Sequence, residues 1–118
     1  MRQQTVQRVA SPTAILVNVP EPAATAVADV LAQGGLKVLR VGHVAAACER
    51  IPVTMPQLVV LPSTLRPEEA ESITERCVAV GATVFPLDVN ADPATVAPRL
   101  KQAAHAAMIR TLRRGTAG

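Results

Sequence analysis

Four short aliphatic runs recur along this chain, each followed by a stretch of helical period, and that alternation restricts the fold more than any other feature. The runs are residues 13–19 (TAILVNV), 36–41 (LKVLRV), 58–61 (LVVL) and 82–89 (ATVFPLDV). They are short and rich in β-branched side chains, so they read as strands. Between them, apolar residues fall three and four apart. Ala23, Val27, Val30 and Leu31 mark a helix over 23–33, and Val44, Ala47, Cys48 and Ile51 mark a short one over about 43–50. Ala70, Ile73, Cys77 and Val80 mark a third, opened by Pro67 and closed by Gly81. Its early Glu68, Glu69 and Glu71 favour the positive end of a helix dipole. Val96, Leu100, Ala103, Ala107 and Met108 form the inner face of the last helix. Asp92 or Thr95 caps that helix, and Pro98 favours Thr95, because proline fits a first turn better than an interior. Pro20 and Pro22, Gly34-Gly35 and the chain-breaking segment IPVTMP (51–56) punctuate the series.

Strands and helices alternating through short connections imply a parallel sheet with helices on both faces. The unbroken run 58–61 belongs at the centre of such a sheet. Pro86 cannot donate to a ladder, so the fourth strand is expected at an edge, or bent. The fold class is α/β, a three-layer sandwich around a short parallel sheet of about four strands.

A chain of 118 residues supports one compact domain. It has one Phe and no Tyr or Trp, so Val, Leu, Ile and Ala must fill the core. The same scarcity excludes an aromatic platform for single-stranded nucleic acid. Cys48 and Cys77 lack metal or redox spacing and read as buried free thiols. No apolar run approaches about 18 residues and no secretory leader pattern opens the chain, so a cytoplasmic protein is expected. The net charge of +3 hides an asymmetry. Residues 13–92 hold five bases and nine acids, a balance of −4. Arg2 and Arg8 precede them; Arg99, Lys101, Arg110, Arg113 and Arg114 follow, with no acid beyond Asp92. The expected organisation is a flexible arm over 1–12, a domain over 13–112 and a flexible basic tail over 113–118.

Ligands of open parallel sheets sit beyond the carboxyl ends of the strands. Those positions hold Asn18, Val19, Pro20 and Glu21; Gly42 and His43; Pro62, Ser63 and Thr64; and Asp88, Asn90 and Asp92. Ser63 or Thr64 with His43 and Asp88 contains the residue types of a nucleophile, base and orienter, but no GxSxG elbow surrounds Ser63, and turn polarity explains the same residues. Asp88, Asn90 and Asp92 match three positions of a calcium loop and lack its glycine and closing glutamate. No GxGxxG or GxxxxGKS/T motif is present, and Gly34-Gly35 follows a helix, where it stops the helix and does not cradle phosphate. No cofactor and no metal is expected. Arg99, Arg110 and Arg113 lie near one another around the last helix, with Arg114 beside them. They read either as a solvated basic helix end or as an electrostatic contact with an acidic protein, nucleic acid or anionic lipid. No helix-turn-helix pair accompanies them, so nucleic acid is the less expected partner. His105 is placed on the solvent side of this helix or in an interface.

Three segments resemble response-regulator receiver domains. ILVNVPEP (15–22) is similar to the receiver's opening, where the first strand ends in an acidic pair; Val19 and Pro20 occupy those positions, flanked by Glu21 and Pro22. PQLVVLP (56–62) resembles the third strand, which ends in the phosphoacceptor aspartate; here that position is Pro62. GATVFPLDVNADPATVAPRLKQA (81–103) resembles the last strand and helix, where a lysine is expected, or else the penultimate strand, where Ser or Thr is expected; Asp88 falls on either position. The resemblance spans roughly residues 13–112 and implies a flavodoxin-like, receiver-like fold one βα unit short of the usual five. If the last strand is the receiver's fifth, the absent unit comes from the face receivers often use for output and dimerisation.

Aspartyl phosphorylation needs a carboxylate nucleophile, clustered hard oxygens for a divalent metal, and a cation to finish charge compensation. Valine and proline offer no side-chain oxygen, and Asp88 has the wrong sign for a lysine's task. The sequence therefore leads to a pseudo-receiver that is not phosphorylated on aspartate and not an enzyme. Its expected partner is another protein or a second copy of itself. The alternatives are a small-ligand binder or enzyme on the Ser63, Thr64, His43 and Asp88 edge, and a nucleic-acid or anionic-surface binder through the basic last helix.

Overall fold

The computed structural model describes residues 12–117, with side chains through Arg110. In chain order the elements are β1 (Thr13–Val17), α1 (Ala23–Gln33), β2 (Lys37–Val41), α2 (Val44–Thr54), β3 (Leu58–Pro62), α3 (Pro67–Val80), β4 (Thr83–Leu87) and α4 (Pro93–Ala117). The four strands form one parallel sheet in the order β2-β1-β3-β4. With helices on both faces, this is the three-layer α/β sandwich that the alternation implies, consistent with a flavodoxin-like, receiver-like architecture.

Side-chain alternation along the strands builds two cores. Ala14, Leu16, Leu58, Val60, Phe85 and Leu87 face one way and pack under Ala24, Val27 and Leu31 of α1 and Val96, Leu100 and Ala104 of α4. Ile15, Val17, Val59 and Leu61 face the other way, under Ala47 and Ile51 of α2 and Ile73 and Cys77 of α3. β1 and β3 are buried along their whole length, as an unbroken apolar run requires of a central strand. Burying each Leu or Ile here contributes about 1.5–3 kcal/mol. Gly81 ends α3 in the left-handed region at φ 78, which a side chain rarely adopts.

Several boundaries differ from the sequence reading. α2 does not stop before IPVTMP but runs through Pro52 to Thr54. Pro52 forgoes the bond to the Cys48 carbonyl, but fully buried Ile51 anchors that turn and accepts from the Met55 N–H at 2.9 Å. Asp92, not Thr95, caps α4. Its Oδ1 accepts from the Ala94 N–H at 3.1 Å and its carbonyl accepts from Thr95 and Val96. Pro93 takes the first helical position, which leaves Pro98 inside the helix. The expected division at 112/113 falls within α4, which continues to Ala117. The expected N-terminal arm lies outside the described residues, apart from Pro12.

Both strand prolines act through the donor they lack. Consecutive residues of a parallel strand bond to opposite neighbours. The Ser63 N–H donates to the Leu87 carbonyl at 2.8 Å, so residue 62 is directed at β1. Beyond Leu16↔Val60, the next β1–β3 bond would run from the N–H of residue 62 to the Val17 carbonyl. Pro62 has no N–H, and the pairing stops there after three residue pairs, while the flanking pairings run five each. Since the Leu87 carbonyl turns toward β3, Pro86 turns away from it, onto the outer edge of an edge strand.

Candidate functional site

The carboxyl ends of β1 and β3 open onto the crevice where an open parallel sheet binds its ligands. β1 leaves the sheet at Asn18, which adopts φ 50 and donates its N–H to the Val41 carbonyl at 2.6 Å. Val19 then packs, half-buried, against the α1–α4 core. Pro20 is exposed, and its carbonyl accepts from the Ala24 N–H at 2.9 Å as α1 begins. Pro62 is buried as the last residue of β3, opposite Leu87. The two positions after β1 and the one ending β3 thus present aliphatic carbon and no carboxylate.

The polar residues nearby are occupied locally. Ser63 Oγ accepts from the Val89 N–H at 3.4 Å, tying the β3 loop to the end of β4. Asp88 Oδ1 accepts from the Asn90 N–H at 2.9 Å in a tight turn, and Asp92 caps α4 as described. Among the described residues, no three His, Cys, Asp or Glu side chains converge to hold a metal ion. A separate cavity beside Asp88, between α1 and α4, has a volume of about 30 Å³ and is lined by Ala23, Val27, Leu87, Val89, Val96 and Leu100. That is room for about one water molecule, between apolar walls.

The structure does not assemble the imagined triad. Ser63, Thr64, His43 and Asp88 are all exposed, and no hydrogen bond joins them to one another among the described residues. His43 follows β2 and Ser63 follows β3, with β1 between. Two strand spacings set those ends about 9–10 Å apart. His43 precedes α2 without a side-chain capping bond.

The most connected polar cluster at this end was not anticipated. Glu21 Oε1 accepts from Thr25 Oγ1 at 2.8 Å and from the Thr25 N–H at 3.3 Å, while Arg40 Nη1 donates to Glu21 Oε2 at 2.6 Å. Arg40 Nη2 also donates to Thr25 Oγ1 at 3.3 Å. The Thr25 hydroxyl, and secondarily Arg40, hold the Glu21 carboxyl below its ordinary pKa. The cluster is exposed and clamps the start of α1 to β2.

Arg99 and Arg110 lie on one side of α4, as their spacing of eleven residues indicates, and both engage β4. The Arg99 guanidinium sits 5.7 Å from the centre of the Phe85 ring, and Arg110 Nη2 donates to Thr83 Oγ1. Arg113 and Arg114 continue the helix, and their side chains lie outside the described ones. His105 is exposed in an open groove between α1 and α4, beside Val30, Lys101 and Met108. Cys48 and Cys77 are free thiols at the α2–α3 seam. Cys48 Sγ lies 3.8 Å from Ser72 Oγ, and burial, with a smaller effect of Cys48, pushes the Cys77 thiol up to about 11. No helix among the described residues is long and apolar enough to cross a membrane.

No protein-family model, curated protein or solved structure matches the chain.

Proposed function

We propose that this protein is a non-catalytic, receiver-like interaction module that works by binding another protein and takes up no phosphate on aspartate. The reading rests on one observation above the others: Pro62 ends the central strand, buried, at the position that a receiver gives to its nucleophile. Val19 and Pro20 stand where metal-binding carboxylates would, and the Asp88 carboxylate is engaged in its own turn. A phosphoryl group brought here would find no attacking carboxylate on β3 and no clustered hard oxygens. A sheet and two complete cores that keep the frame without that chemistry suit a surface used for binding.

The test is incubation of the full chain with acetyl phosphate and magnesium, read by intact mass. The expected result is no base-labile phosphoryl adduct. A stoichiometric adduct that disappears in Asp88→Asn would overturn the proposal.

A further inference from the structure

We infer that the outer edge of β2 is the docking site, and that its occupant is an extended, acidic segment of a partner protein that joins the sheet as a fifth strand. This deepens the interaction-module reading and rests on it.

The backbone comes first. The Lys37 N–H donates to the Pro12 carbonyl at 2.9 Å, and the Val41 carbonyl accepts from the Asn18 N–H at 2.6 Å. Residues 37, 39 and 41 therefore bond toward β1, and the N–H and C=O groups of Val38 and Arg40 point outward from the sheet. Such a row is a template for strand addition. The opposite edge offers less. Pro86 has no N–H to offer on the outer side of β4, and α4 holds that strand through Arg99 over Phe85 and Arg110 on Thr83.

The surroundings select the occupant. A groove of about 210 Å³ runs along β2 toward α2, lined by Leu39, Arg40, Val41, Gly42, Ala46 and Arg50. Leu39 and Val41 alternate there as half-buried apolar positions, spaced to receive alternate side chains of an added strand. The domain body carries nine acids against five bases, yet three of those bases, Lys37, Arg40 and Arg50, are at this edge. Glu21 engages Arg40; Lys37 and Arg50 make no ion pair among the described residues. An acidic segment complements them. A second copy pairing β2 against β2 would instead bring two basic edges together, which disfavours self-addition.

The experiment titrates the full, isotope-labelled chain with a synthetic peptide of alternating valine and glutamate, using a valine–lysine peptide of equal length as control. The expected result is perturbation of the Val38 and Arg40 amides, slower exchange of both, and at least about tenfold preference for the acidic peptide that weakens with salt. Val38→Pro removes an outward N–H, as Pro86 does on the other edge, and is expected to weaken binding about tenfold, while Val38→Ala trims the side chain, keeps the N–H and binds within about threefold. The exposed pair Lys37→Glu with Arg50→Glu, which leaves every described hydrogen bond intact, is expected to lose at least as much. Absence of acidic-peptide binding, unchanged affinity in both the proline and the charge-reversed variants, or amide perturbations away from β2 would overturn the site. Those outcomes leave the module reading standing, which falls instead to the phosphoryl adduct described above.

Discussion

Placing a carboxylate at the end of β3 tests whether Pro62 alone keeps this end of the sheet from taking up phosphate. Pro62 shares the face of Leu58 and Val60, so a side chain there points into the layer where Val19, Leu87 and Val89 pack. In Pro62→Asp the introduced carboxyl would enter this apolar layer, while Arg40 is engaged by Glu21 and Arg66 by Glu68 and Glu69. Desolvation then raises its pKa above the unfolded value of about 3.9, by about two units for a buried group. Each unit corresponds to about 1.4 kcal/mol, so the penalty at pH 7 is about 2.7 kcal/mol. The sign follows from linkage. Below about pH 4 the carboxyl is neutral in both states and the penalty vanishes; it grows as pH rises toward the folded pKa and is complete above it. Pro62→Ala is the reference, since it also gains an N–H opposite Val17 and loses the ring. Urea denaturation of both variants at pH 4 and pH 7, with and without magnesium, measures the difference. The reasoning is refuted if the two variants keep the same stability gap at both pH values, or if magnesium stabilises the aspartate variant at pH 7 and lets it accept a phosphoryl group.

Two further outcomes follow from side chains the site does not use. Iodoacetamide at pH 8 is expected to label Cys48 in the folded protein and Cys77 only on unfolding, because a buried thiol with a pKa of about 11 is about one part in a thousand thiolate at that pH; equal native labelling, read by peptide mass, would contradict the burial. The Glu21 carboxyl is expected to titrate below its ordinary value, so what it contributes to stability is present above that value and lost as pH falls through the lowered one. Thr25→Ala should move that midpoint upward more than Arg40→Ala does, by carboxyl-detected NMR.

The parts of the fold that were legible depend on short-range necessity. The run 58–61 could be placed at the centre because an unbroken apolar strand has no solvent face to offer, and Pro86 could be placed at an edge because its missing donor has to be accommodated somewhere. Pro62 was harder. Ending the strand at Leu61 followed the general behaviour of proline, but the deficit at residue 62 faces β1, where the ladder can simply stop, so the strand keeps its proline. Pro52 stays helical for a similar reason, in a last turn held by Ile51. The choice of Asp92 over Thr95 turned on which of Pro93 and Pro98 takes the first turn, and both satisfy the same local rule. The Glu21–Thr25–Arg40 cluster had no local signal at all. It joins residues 19 apart, through the alignment of β1 with β2, and no spacing rule encodes that. The shared side of Arg99 and Arg110 was readable from helical period; that this side meets β4 depends on where the sheet ends.

Placing recognition on β2 also explains how the crevice can be filled without loss of the fold. A site at the ends of β1 and β3 must present particular side chains at particular atoms, and one replacement such as proline for a carboxylate ends its chemistry. An exposed strand edge presents main-chain groups, which any residue other than proline supplies, and it needs from its side chains only two half-buried apolar positions and a positive border. Filling the crevice with Val19 and Pro62 leaves those groups untouched, because they belong to a strand separated from β3 by the whole width of β1. If β2 is the docking edge as proposed, edge and crevice can vary independently, and substitutions around Pro62 should change stability while leaving recognition at Val38 and Arg40 as it was.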